Sequence, residues 1–206
     1  MNTHVVASLP GPGRLEAFSD GVLAIVITLL VLELKTPHLE AANDAREALA
    51  ALVALTPKFL GYLLSFFFVA VFWVNHHRFF WLIRQVDHGL LWLNVLLLLA
   101  LSFVPFPTSL IGEYPCNATG LALFALVLMS AGLAFNLMWR YARSHQLYHE
   151  DVSPALVARA TVRGLVGLAL YALAAFIAFV LPLAAWTLFV VIPLFYVFQR
   201  TGSARK

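Results

Sequence analysis

The chain has 206 residues, a formal net charge of +3, and a composition that is 62% hydrophobic and only 11% charged. Soluble domains are about 45–50% apolar, and so few charges cannot cover a soluble surface. With a mean hydropathy of +0.89, the chain reads as an all-α polytopic membrane protein, which leaves no room for a soluble catalytic domain and gives no reason to expect a nucleic-acid partner.

A helical span needs ~20 apolar residues, so the chain has room for about six. They are predicted at roughly 14–34, 57–76, 88–108, 119–139, 161–181 and 183–199. The first opens after Pro12, a tolerated position for proline at a helix start, and Pro37 discourages its continuation. It is too long for a signal peptide, and no small-residue cleavage site follows it. His38 to Leu55 is Ala-rich with mixed charges and is expected to form a short surface helix leading into Pro57. Pro105 and Pro107 are expected to close the third span, with an outer loop from Ile111 to Ala118 after it. Pro182 divides the last two segments, and Pro193 is expected to kink the sixth. No internal repeat is evident, so residues 1–206 read as one six-helix transmembrane unit.

Basic residues set the orientation. With the N-terminus in the cytoplasm, ten of them, from Arg14 through Arg78, Arg140 and Arg163 to Lys206, fall inside, and only Lys35, Arg46 and Lys58 fall outside. This is a strong positive-inside bias, and six spans then leave both termini cytoplasmic. The basic run from Arg140 to Arg163 is expected at the inner headgroups, in contact with membrane lipid.

Two stretches carry polar residues where the bilayer makes them costly. The first is Arg14 to Leu34, RLEAFSDGVLAIVITLLVLEL; the second is Phe72 to Phe80, FWVNHHRFF. At ~100° per residue, Ile25, Leu29 and Leu32 share a stripe with Thr28 beside it, and Arg14, Phe18 and Gly21 extend it toward the N-terminus. Glu16, Ser19 and Asp20 point to the other side and need partners within the chain. The assigned topology puts Trp73, Asn75, His76 and His77 at a similar depth, where Asp20 can accept from His77 or Trp73.

The matching pieces are Arg14 with Phe18-Ser19-Asp20-Gly21, Ala24-Ile25, Thr28-Leu29-Leu30, and Trp73 with Asn75-His76-His77-Arg78. On these residues the chain resembles the transmembrane protein 175 type potassium channels, in their short bacterial branch. The resemblance implies a homotetramer in a prokaryotic plasma membrane, with first helices surrounding the path of a permeant potassium ion. It implies a constriction at Ile25, Leu29 and Leu32, with a pore-lining hydroxyl at Thr28. It also implies a structural clamp of Arg14, Phe18, Ser19, Asp20, Trp73, Asn75 and His77 behind the pore helix. No cofactor and no soluble substrate are expected.

Other readings stand beside that one. Asp20 and His77 are also a candidate proton pathway for a proton-linked transporter, and His76 or His77 a pH sensor. Internal repeats and broken helices, common in transporters, are absent. No serine–histidine or paired-carboxylate set lies inside the spans, so no enzyme is expected. His76 and His77 are adjacent and diverge on a helix. His145 and His149 have metal-like spacing but read better as solvated loop. Asn94 and Asn136 are single amides expected to bond across helices. Cys116 is the lone cysteine, and no Thr-Val-Gly-Tyr-Gly filter occurs.

Overall fold

The structure, a computed structural model, describes residues 10–40 and 44–197. Arg200, Arg205, Lys206 and the last two residues expected in the sixth span lie outside the described residues. The elements are α1 (Gly13–Leu29), a 3-10 turn (Leu30–Glu33), α2 (Ala45–Ala54), α3 (Thr56–Trp81), α4 (His88–Ser102), α5 (Pro105–Glu113), α6 (Ala118–Ser144), α7 (Pro154–Val180) and α8 (Pro182–Val197).

Local chemistry explains most boundaries. Helix starts leave unsatisfied N–H groups. Asp44, Asp87 and Asn117 cap α2, α4 and α6 by accepting from Arg46, Leu90 and Gly120 N–H. Proline stands in the first turn of α3, α5 and α7, where its missing N–H costs nothing.

That same tolerance corrects the expectation at Pro105. The prolines do not close the third span; the chain turns at Phe103–Val104 and resumes as α5 with Pro105 in its first turn. The outer loop is accordingly shorter than expected, because Ile111, Gly112 and Glu113 are still helical. Among the described residues, five segments are long and apolar enough to cross a membrane: Gly13–Glu33, Thr56–Trp81, His88–Glu113, Ala118–Ser144 and Pro154–Val180. A sixth apolar helix, Pro182–Leu194, is shorter.

α6 is the hub. It packs against α4, α5 and α7, and α7 in turn packs against α8. Its buried face is rich in small residues, including Gly120, Ala122, Ala125, Ala131, Ala134 and Ala142. In lipid, helices gain little from hydrophobic burial against one another, and small residues allow the close backbone approach that replaces it. α1 sits at the margin, chiefly against α3 and α4.

The end at which α1 begins is tied by backbone and side-chain bonds. Val86 N–H donates to Pro10 C=O at 2.9 Å, and Arg84 N–H to Leu147 C=O at 2.8 Å. Ile83 and Tyr148 form an antiparallel bridge between the α3–α4 and α6–α7 loops. Burial raises the Tyr148 phenol above its ordinary range, so it stays a donor, to Trp139 C=O at 3.1 Å. Asp87, already the α4 cap, also accepts from the Tyr141 hydroxyl at 3.0 Å. At the opposite end Lys58 pairs with Glu113, and Trp186 donates to Pro115 C=O at 2.8 Å.

A β-carbon at Gly89 would overlap the Tyr141 hydroxyl and push it off Asp87. Gly89→Ala is expected to destabilise the purified protein by about 1–3 kcal/mol, read as a lowered thermal midpoint. An unchanged midpoint would show that Tyr141 can leave Asp87 freely.

Candidate functional site

α1 presents two faces of opposite character. Leu15, Ser19, Leu23, Val26 and Leu30 are buried, at the three- and four-residue spacing of one helical stripe. The far side has little cover from the described residues. Phe18 is 58% exposed, Ile25 59%, Leu29 42% and Leu32 67%. The tightening to a 3-10 turn at Leu30–Glu33 keeps Leu32 in line with Leu29, because side chains at i and i+3 eclipse in that geometry. The Thr28 hydroxyl donates to Ile25 C=O at 2.9 Å and is exposed, so its lone pairs remain free on the same side.

Behind the exposed face, α1 is held by two sets of polar contacts. The first is a pair of rungs to α3. Trp73 Nε1 donates to Asp20 Oδ1 at 3.0 Å, and His77 Nδ1 lies 3.0 Å from Glu16 Oε1. Both pairs use i, i+4 spacing, so two residues of α1 meet two of the antiparallel α3 in register. The Trp73 and His77 rings stack with centroids 6.2 Å apart. These rungs are partly exposed, with the His77 side chain at 60%.

The second set is fully buried and runs to α4. Asn94 Nδ2 donates to Ser19 Oγ at 2.8 Å, and Ser19 Oγ donates to Leu15 C=O at 2.8 Å. Asn94 Oδ1 faces His76 Nε2 at 2.9 Å. One amide thus links α1, α3 and α4. Low surrounding polarity strengthens such a network and makes any loss costly.

The structure brings together Ser19, Asp20, Trp73 and His77 from the sequence-derived set, though not all as expected. Asp20 takes Trp73, while His77 faces Glu16 instead. Asn75 turns to its own helix and donates to Val71 C=O at 2.7 Å. Arg14 and Phe18 are exposed. Sequence reasoning missed the Glu16–His77 rung and the His76–Asn94 bond. The matching i, i+4 spacings of Glu16/Asp20 and Trp73/His77 were a signal for the first. Asn136 does bond across helices, to Thr161 C=O at 2.8 Å. Among the described residues no group of three or more potential metal ligands occurs; His145 stacks on Tyr141 instead, at 3.9 Å.

A bundle of membrane-length helices, one of them with a polar-anchored back and an uncovered aliphatic front, defines a multi-pass integral membrane protein. The family described as "Endosomal/lysosomal potassium channel TMEM175" matches residues 14–105. A relative from Streptomyces collinus, named a potassium channel, is 38% identical over 91% of this chain and 92% of its own. One from Chamaesiphon minutus, also named a potassium channel, is 43% identical over 63% of this chain and 65% of its own. The human endosomal/lysosomal proton channel TMEM175 is 33% identical over 81% of this chain, which spans 35% of the human protein. The crystal structure of a lysosomal potassium-selective channel TMEM175 homologue from Chamaesiphon minutus superposes with a TM-score of 0.77, at 34% identity, over 90% of this chain and 95% of that one. The chain belongs to the TMEM175 family. These relatives are ion channels by name.

The two sets of contacts predict unequal costs. Asn94→Leu strands His76 and removes the donor from Ser19, and is expected to cost about 2–3 kcal/mol. Trp73→Phe removes one half-exposed bond and is expected to cost about 0.5–1 kcal/mol. Thermal midpoints of the two purified variants check the ranking.

Proposed function

We propose that the protein is a potassium-preferring cation channel built from four copies, with α1 lining the pore. The observation that carries this reading is the two-faced α1: its back is fixed by Ser19, Asp20 and Glu16, and its aliphatic front is uncovered. One chain contributes one such helix, so closing a pore around it requires cyclic symmetry. Ile25, Leu29 and Leu32 then form stacked apolar rings, with Thr28 offering a ring of hydroxyls. An apolar constriction gates by dewetting, and a small rotation or widening admits water and ions.

Ser19, Asp20, Trp73 and His77 act as a structural clamp that sets the rotation of α1, with Glu16, His76 and Asn94 added to it. Arg14, Phe18 and Asn75 have no clamp contact among the described residues. The distribution of basic residues supports a cytoplasmic N-terminus. The match to a bacterial relative over 91% of this chain supports a prokaryotic plasma membrane. Potassium preference is supported by the relatives' names, and no Thr-Val-Gly-Tyr-Gly filter supplies it.

Proton permeation is the second reading. It is favoured by the name of the human relative and by the Glu16–His77 pair beside α1. The expected result in planar bilayers under a potassium/sodium bi-ionic gradient is a reversal potential displaced toward potassium. A potential that follows the proton gradient instead would favour the second reading, and no flux above empty liposomes would remove both.

Ile25→Asn places a hydrogen-bonding group in the proposed constriction. It is expected to raise conductance about tenfold, equivalent to ~1.4 kcal/mol off the barrier. Unchanged conductance would take Ile25 out of the constriction.

A further inference from the structure

The buried link between α1, α3 and α4 contains one unmatched atom. His76 is completely buried, and its Nδ1 has no hydrogen-bond partner among the described residues. An orphaned polar atom in a packed core calls for an explanation. The surrounding bonds fix which ring nitrogen carries its first proton. Ser19 spends its hydroxyl proton on Leu15 C=O, so its oxygen must accept from the Asn94 amide. The Asn94 carbonyl oxygen therefore faces His76 and accepts from Nε2–H. A neutral imidazole carries one N–H, so Nδ1 holds a bare lone pair. While His76 is neutral the network leaves no N–H unpaired, and a second proton would add one at Nδ1.

We propose that His76 is a proton-operated catch on α1. Neutral, it holds the Asn94 amide, and Asn94 holds Ser19. A proton taken up at Nδ1 creates a buried cationic N–H that points at no acceptor. The ring must then turn or shift to find one, and the Asn94–Ser19 bond goes with it. Acceptors are near. The titratable groups facing His76 are Glu16 and Asp20 of α1 and the adjacent His77, while α4 contributes the neutral Asn94. The Phe80 ring, 4.6 Å away by centroid, closes another side. Movement toward the α1 carboxylates would weaken the Trp73–Asp20 and His77–Glu16 rungs together with the catch. The link is a switch and not a proton wire, because the Asn94 amide has no proton to pass on at neutral cost.

The effect on current rests on α1 being the pore helix, but the movement of α1 does not, and the test separates the two. A fluorinated thiol tag is placed at Ala17→Cys, an exposed α1 position, in a Cys116→Ser background. Its fluorine resonance and potassium flux are compared between about pH 7.5 and about pH 4.5, which reaches well below the ordinary histidine range. In the otherwise unaltered chain the resonance is expected to shift and flux to change by about threefold or more, equivalent to ~0.65 kcal/mol. His76→Gln keeps an amide donor toward Asn94 but cannot titrate, and both responses are expected to vanish. If that variant does not assemble, Ser19→Ala cuts the catch on the α1 side and is expected to abolish the resonance shift. A shift of equal size in His76→Gln would overturn the proposal and assign the response to the exposed His77–Glu16 pair. No shift in the unaltered chain would overturn it as well. A shift that depends on His76 without any flux would support the catch and remove the channel reading.

Discussion

The structure depends on how α1 is fixed without being enclosed, and so does the function proposed for it. In a bilayer the apolar effect that drives soluble helices together is nearly absent. A helix that must leave one face open cannot rely on burial to hold its place. Directional bonds therefore carry the task. Asn94 is the central one, because its single amide reaches Ser19 on α1 and His76 on α3. The rungs from Asp20 and Glu16 to Trp73 and His77 add a second line of contact along one edge. Since the two sets approach α1 from different sides, they define its rotation as well as its position.

The rest of the fold serves that placement. α6, α7 and α8 form a mass of small-residue packing that gives α4 something rigid to lean on. The loops at one end knit α3, α4 and α6 together through Arg84, Asp87 and Tyr148. Pro10, just before α1, bonds into the same knot through Val86. At the other end Lys58 and Glu113 join the start of α3 to the end of α5. The pore proposed for α1 would thus be walled by a helix whose two ends and whose back are all referred to a common frame.

The polar contacts also differ in their exposure, and that difference has a chemical consequence. His77 is reached by solvent and pairs with Glu16 at the edge. His76 is sealed in, with one nitrogen bonded and the other without a partner among the described residues. Adjacent histidines in one motif therefore sit in opposite environments, because neighbouring helix positions point about 100° apart. The first belongs to the surface rung and the second to the core link.

Much of the fold was legible in the sequence. Composition alone required a helical membrane protein, since 11% charged residues cannot clothe a soluble surface. The periodicity of Ile25, Leu29 and Leu32 opposite Ser19 fixed the two faces of α1 before any packing was known. What local pattern could not decide was partner choice. Asp20, Glu16, Trp73 and His77 were all visible as polar groups at one depth, but which met which depends on the register of two antiparallel helices. Asn94 looked like a lone amide because its partners are distant in the chain, and only tertiary packing brings Ser19 and His76 to it. The third span was misjudged at Pro105 for a related reason: proline forbids a continuous helix but not a fresh start in the first turn. Residue types set which groups had to be satisfied in lipid; the three-dimensional arrangement of α1, α3 and α4 decided by whom.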